Sequence, residues 1–134
     1  FTDVEGKTKD EVLKNLCRKV EQEKGLPETF TASVLKREEL TPTDYGNLVA
    51  LPHPERAFQE RAFVAVAVLK EPIFWFRQKV QVVFLTAIGR EEDENLQQFY
   101  EATTDLILRP ADVQNLIRHP DYDRLIQLLR RAEE

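Results

Sequence analysis

The sequence has no methionine, one cysteine and two histidines. The single Cys17 cannot form a disulfide within the chain, so a reducing compartment, the cytoplasm, is the expected location. One cysteine and two histidines are also too few to build a structural zinc site. No apolar run approaches the ~18 residues of a membrane-spanning helix, which argues against membrane insertion. The absence of methionine indicates either a trimmed start or, as we favour, a domain excised from a larger protein.

The charge of the chain is acidic. Nineteen Lys and Arg residues against 24 Asp and Glu give a formal net charge of −5. Direct nucleic-acid binding is not expected, because the basic residues are scattered instead of clustered on one face. A length of 134 residues with 42% hydrophobic residues fits one globular domain, residues 1–134, with a core of its own.

Apolar periodicity predicts the order strand, two helices, three strands, three helices. The spacing of Thr8 and Glu11 is that of a capping box, Gly25 ends the first helix, and Pro27 suits the first turn of the second. Pro110 opens a short helix that ends at His119, interpreted as a helix-terminal residue, and Asp121 caps the last helix. The first helix carries one apolar stripe, formed by Val12, Leu13, Leu16, Cys17 and Val20. Strands are expected at residues 1–4, 48–51, 62–69 and 80–88, with a loop at 41–47. The last two strands are apolar on nearly every residue, which is typical of a sheet covered on both faces. The predicted fold is therefore a three-layer α/β/α sandwich with a mixed sheet.

The tripeptide Pro52-His53-Pro54 is the strongest local candidate for chemistry. It directly follows a predicted buried strand, and ligand sites of open sheets lie at strand ends. Pro52 fixes its own φ, and Pro54 pushes His53 towards an extended backbone, so the histidine is held in a stiff loop. A surface histidine without a function remains the alternative. The sequence contains neither a GxxxxGK phosphate loop nor a GxSxG elbow.

The segment 37–54, REELTPTDYGNLVALPHP, carries a family resemblance. Its Arg-Glu pair, Thr-Pro-Thr turn, glycine, small hydrophobic strand and Pro-His resemble the signature of phosphotransferase-system EIIA domains of the mannitol/fructose type. The segments 70–75 and 80–85 are also similar to that family, so the resemblance covers nearly the whole chain. The fold that it implies agrees with the order of elements predicted above.

The resemblance implies a chemistry for His53 and its neighbours. A neutral nitrogen of His53 would accept a phosphoryl group from a histidine of the phosphocarrier protein HPr. Arg37 matches the family arginine near the phosphohistidine, and the Thr43 hydroxyl could add a hydrogen bond. Neither a metal nor an organic cofactor is required. Asn95 stands where transporter members carry a second active-site histidine, and its amide cannot take up a proton charge.

Three hypotheses follow from the resemblance. In the first, the domain is regulatory: phosphorylated His53 alters contacts with neighbouring domains of a transcriptional antiterminator or activator of a sugar operon. Asn47 after the glycine and Pro54 after the histidine are most similar to such regulators. In the second, the chain is an enzyme, the EIIA subunit of a sugar transporter that passes phosphate to a cysteine of EIIB. The third is a protein-interaction module that is not phosphorylated.

Overall fold

Over the residues that it describes, the computed structural model has a mixed α/β fold of five helices and a four-stranded sheet. The structure describes residues 1–90 and 94–133, and the side chains of residues 1–90 and 97–130. It forms two compact units. The first contains α1 (Lys9–Lys24), α2 (Thr29–Leu40), β1 (Asp44–Gly46), β2 (Val49–Ala50), β3 (Phe63–Phe74) and β4 (Lys79–Ala87). The second contains α3 (Glu94–Ile107), α4 (Pro110–Arg118) and α5 (Tyr122–Glu133).

Local signals set both ends of α1. Thr8 is the N-cap of α1, and its Oγ1 accepts the Glu11 N–H at 3.3 Å. Gly25 ends the helix in the left-handed region at φ 66°, as predicted. The expected place of Pro27 is wrong, because it precedes α2 and its carbonyl accepts the Phe30 N–H. The buried face of α1 is the predicted apolar stripe of Val12, Leu13, Leu16, Cys17 and Val20.

The sheet is mixed, in the order β1-β2-β4-β3. Strand β2 pairs parallel with β4, whereas β1 pairs antiparallel with β2 and β3 antiparallel with β4. Every residue of β4 is buried except Lys79 and Gln81, which agrees with the apolar pattern of its sequence. These observations confirm the predicted fold class and place β2 beside β4.

Several boundaries predicted from the sequence are wrong. Residues 44–46 form β1 where a loop was expected, because Asn47 and Leu48 take positive φ values of 51° and 70° and close a tight hairpin into β2. Residues 1–4 form no strand. Phe1 is hydrogen-bonded to the β3 backbone there: its amino group donates to the Val66 carbonyl at 2.6 Å, and its carbonyl accepts from the Val68 N–H at 2.9 Å.

Strand β3 continues to Phe74, five residues beyond its predicted end. The prediction ended at Leu69 because charged residues and Pro72 follow. Proline is tolerated here because β3 is the last strand of the four-stranded sheet. The pairing with β4 also shifts between Val68 and Ile73, where the Gln81 side chain donates to the Leu69 carbonyl at 2.9 Å.

The helices of the second unit begin where the sequence predicts. Pro110 is the first residue of α4, and Asp121 caps α5 by accepting the Arg124 N–H at 2.7 Å. His119 is an exposed residue at the end of α4, in agreement with its interpretation as a helix terminus. Within residues 1–90 and 94–133, no helix is long and apolar enough to cross a membrane.

Candidate functional site around His53

The backbone on both sides of His53 is anchored. The Leu51 N–H donates to the Thr43 carbonyl at 3.1 Å, and the Pro52 carbonyl accepts the Thr86 N–H at 3.0 Å. The second bond continues the parallel register between β2 and β4, so the chain remains extended up to His53. After the histidine, the Glu55 N–H donates to Ser33 Oγ at 2.7 Å. The loop is therefore fixed to β4 and to α2 within two residues of His53.

The imidazole of His53 has a defined orientation. Its Nδ1 lies 3.2 Å from the Leu51 carbonyl oxygen, and the side chain is half-buried. A carbonyl oxygen can only accept a hydrogen bond, so this contact requires the proton on Nδ1. The neutral ring then carries its lone pair on Nε2. This contact thus leaves Nε2 as the ring nitrogen with the free lone pair.

Helix α2 supplies a cation on the side that holds the loop. Ser33, which binds the Glu55 amide, and Arg37 are four residues apart, so they lie on one face of α2 about 6 Å apart along its axis. Arg37 is half-buried, and its Nη1 donates to the Thr41 carbonyl at 2.9 Å. That bond uses one of the five N–H donors of a guanidinium.

Thr43 lies beside the loop, but its hydroxyl contacts a carboxylate. Thr43 Oγ1 is 2.8 Å from Glu38 Oε2 and 3.1 Å from Oε1, and the Thr43 N–H donates to Oε1 at 2.7 Å. A hydroxyl has a single proton to donate, and the hydrogen bond to this carboxylate uses it. Thr43 therefore acts here through its backbone: it anchors the segment before β1 and presents its carbonyl to Leu51.

Sequence reasoning did not single out Glu38 or Ser33 as parts of this arrangement. Glu38 is 1% exposed, and its Oε1 also accepts the indole N–H of Trp75 at 2.7 Å. A signal existed, since Phe30, Val34 and Glu38 follow each other at four-residue spacing and thus share the buried face of α2. A charged residue on such a face indicates a carboxylate with internal donors. The sequence has no comparable feature that predicts the contact of Ser33 with the Glu55 N–H.

Asn95 lies in the first turn of α3, and its side chain is outside the part of the chain that the structure describes. Its expected role in place of a second histidine therefore stays a prediction. Cys17, in contrast, is fully buried on α1, and burial followed by the charge of Glu21 raises the pKa of its thiol to about 12. Such a thiol is a core residue and not a nucleophile.

Comparison with known proteins identifies the family. The model of the family described as "Phosphoenolpyruvate-dependent sugar phosphotransferase system, EIIA 2" matches residues 1–132. The chain belongs to this family, as its signature segment predicts. Domains of this family transfer phosphoryl groups through a histidine, and EIIA domains interact with phosphocarrier and EIIB partners.

Two similar relatives are regulators from Bacillus subtilis (strain 168). The chain is 36% identical over 119 residues to the "Probable licABCH operon regulator" and 32% identical over 97 residues to "Transcriptional regulator ManR". These matches cover 89% and 72% of the chain but only 19% and 15% of the regulators, so the chain spans less than a fifth of their length.

A solved structure shares the fold. It is the complex of enzyme IIAMTL and phosphorylated enzyme IIBMTL from Escherichia coli, with a TM-score of 0.76 and 18% identity. The match covers 93% of this chain and 89% of that one. At this identity the likeness concerns the fold alone.

Proposed function

We propose that this chain is the phosphoryl-accepting regulatory domain of a cytoplasmic transcriptional regulator of a sugar operon, and that His53 accepts the phosphoryl group from HPr. The observation that carries the proposal is the contact between His53 Nδ1 and the Leu51 carbonyl at 3.2 Å. It leaves the Nε2 lone pair for nucleophilic attack. Membership in the EIIA 2 family and the similarity to two operon regulators support the role.

The transfer step asks little covalent work of the protein. The Nε2 lone pair of His53 forms a bond to phosphorus, while the bond between phosphorus and the donor imidazole breaks and returns its electron pair to the donor nitrogen. The proton stays on Nδ1, which donates it in a hydrogen bond to the Leu51 carbonyl throughout, so no separate base is needed. A tightly anchored loop suits this reaction, because transfer between two imidazoles depends mainly on alignment.

Arg37 would stabilise the charge of the phosphohistidine. A phosphoryl group brings about −1.5 to −2 charges to a loop that is anchored, through the Glu55 N–H, to Ser33, and Ser33 lies one helical turn before Arg37 on α2. Arginine suits this task because its planar donors match phosphoryl oxygens in pairs. In this proposal Thr43 serves to hold the loop and does not contact the phosphoryl group.

Regulation would follow from the new charge. A phosphorylated His53 is half-exposed at the domain surface, so it can change contacts with neighbouring domains by attraction or repulsion. The two relatives that are more than 30% identical to this chain are regulators of which it spans less than a fifth, and this favours a regulatory outcome over a free-standing transport subunit.

Onward transfer to EIIB is the second candidate function. It draws on the likeness in fold to the EIIA partner in a complex with a phosphorylated EIIB. If Asn95 occupies the place of a second histidine, it offers a neutral hydrogen bond where an imidazolium would hold the leaving group. We therefore expect slow transfer to an EIIB cysteine, and Asn95→His should accelerate it without changing the labelling of His53.

The test of the proposed function is a labelling assay. The chain is incubated with phosphoenolpyruvate, Enzyme I and HPr, and phosphate on His53 is measured for the parent, His53→Ala and His119→Ala. His119 is the other histidine and is exposed on the second unit, so its variant is the matched control. We expect labelling of the parent and of His119→Ala alone. Equal labelling of His53→Ala, or no labelling of the parent, would refute the proposal.

A further inference from the structure

A buried carboxylate links the core to the loop of His53. Glu38 is 1% exposed and lies on the buried face of α2. Three donors surround it: the Thr43 N–H at 2.7 Å, the Thr43 hydroxyl at 2.8 Å and the Trp75 indole N–H at 2.7 Å. Burying a carboxylate is costly unless such donors replace water. All of the partners being donors, the group is held as an acceptor.

The hydrogen bonds continue from this carboxylate to the imidazole. Glu38 fixes the Thr43 peptide, the Thr43 carbonyl accepts the Leu51 N–H at 3.1 Å, and the Leu51 carbonyl faces His53 Nδ1 at 3.2 Å. The N–H and the carbonyl of Leu51 thus both have partners, Thr43 on one side and His53 on the other. Its carbonyl is the group that selects the ring nitrogen, so its direction decides where the imidazole proton resides.

We propose that Glu38 is a positioning residue for His53: through Thr43 and Leu51 it holds the imidazole with Nδ1 protonated and Nε2 free. The proposal rests on the proposed function for its effect on rate. Glu38 does not touch the phosphoryl group, since both of its oxygens are directed to Thr43 and Trp75. It acts by keeping the Leu51 carbonyl aligned, as groups behind a metal-binding histidine fix its tautomer.

Substitution of Glu38 by glutamine or by leucine separates its role in positioning His53 from its role in filling the core. Glu38→Gln keeps an oxygen for the Thr43 and Trp75 N–H groups, while its amide can donate to the Thr43 hydroxyl, so the chain of contacts can persist in a weaker, uncharged form. Glu38→Leu keeps most of the volume and removes every acceptor. Glu39 is the next residue of α2 and is exposed, so Glu39→Gln and Glu39→Leu are matched controls.

Two measurements are made on each folded variant. The first is the tautomer of His53, read from the imidazole ¹⁵N chemical shifts of the neutral ring. The second is the initial rate of labelling by phosphorylated HPr. We expect the parent and both Glu39 variants to show the Nδ1–H form. Glu38→Leu should give a mixture of tautomers and label roughly tenfold to a hundredfold more slowly, the usual loss when a group that orients a reacting side chain is removed. Glu38→Gln should fall between them.

Thr43→Val covers the case in which Glu38→Leu does not fold. It removes the hydroxyl but keeps the Thr43 N–H and carbonyl, so it should shift the tautomer ratio and the rate in the same direction by a smaller factor. Folded Glu38→Gln, Glu38→Leu and Thr43→Val chains that all keep the parent tautomer would overturn the inference. The tautomer is measured without phosphorylation. A parent that shows the Nδ1–H form but is never labelled would therefore refute the proposed function and leave the positioning role intact.

Discussion

Ser33→Ala tests whether the anchoring of the loop after His53 matters for phosphorylation. Ser33 is 7% exposed, and its Oγ accepts the Glu55 N–H at 2.7 Å. This bond joins the loop to α2 two residues after the histidine. Alanine removes the acceptor and leaves the Glu55 amide to find water, while the rest of the helix is unchanged.

The expected change in stability is small, because the loss of a hydrogen bond is partly offset by a gain in helix propensity. Loss of one hydrogen bond costs about 0.5–1.5 kcal/mol. Alanine is the better helix former and returns up to about 0.5 kcal/mol within α2. The free energy of unfolding should therefore fall by about 0–1.5 kcal/mol. The labelling rate should fall more clearly, by roughly threefold to tenfold, because a loop with one anchor fewer samples more misaligned positions of His53.

Urea unfolding followed by Trp75 fluorescence gives the stability, and labelling by phosphorylated HPr gives the rate. Ala32→Ser is the matched control, since it exchanges the same two residue types at the neighbouring exposed position of α2. It should lower stability through helix propensity and leave labelling unchanged. A Ser33→Ala chain that labels at the parent rate would show that the Glu55 anchor does not position His53, and the argument from loop rigidity would fail.

Three further predictions concern other residues. Arg37→Lys should slow the labelling of His53 by roughly tenfold at unchanged stability, because a point charge replaces paired donors; an unchanged rate would place Arg37 outside the site. Burial raises the pKa of the Cys17 thiol from 9.0 to about 12, so at a pH between these values the thiol ionises in the unfolded chain but not in the folded one. The contribution of this thiol to the free energy of unfolding is therefore lost as the pH rises from 9.0 towards 12. Unfolding at several pH values, compared with Cys17→Ala, measures this loss, and parallel pH profiles would contradict it. Gly89→Ala should destabilise the chain by about 1–3 kcal/mol in urea unfolding, because an added Cβ would overlap the backbone carbonyl of Glu60; parent-like stability would show that this turn can relax.

The sequence was sufficient where one local signal determined the structure. The capping residue Thr8, the terminator Gly25 and Pro110 all lie where they were expected, because each satisfies or removes a backbone group at a helix end. The near-continuous apolar residues of β4 likewise predicted a strand buried on nearly every position. These features require no knowledge of distant residues.

Prediction failed where distant partners decide. Pro72 predicts that the strand stops before it, yet β3 continues through Pro72. Proline is tolerated there because β3 is the outermost strand next to β4 in the four-stranded sheet. The sequence also carried no indication that the Thr43 hydroxyl contacts the buried carboxylate of Glu38. The position of His53 could be predicted from its prolines, but the tautomer depends on the Leu51 carbonyl, whose direction follows from contacts across the fold.

The order of Arg37 and Glu38 on α2 follows from helix geometry. Consecutive side chains of an α-helix are turned by about 100°, so these neighbours must face different environments. Glu38 continues the buried row of Phe30 and Val34, while Arg37 is half-buried and one turn from Ser33. The carboxylate is thereby kept among donors in the core. The guanidinium stays half-buried, where an anion can reach it. The reverse order would bury the cation against the N–H groups of Thr43 and Trp75 and expose the anion. For the proposed phosphorylation of His53, the Arg-Glu order thus keeps the carboxylate, which would repel the phosphoryl group, in the core.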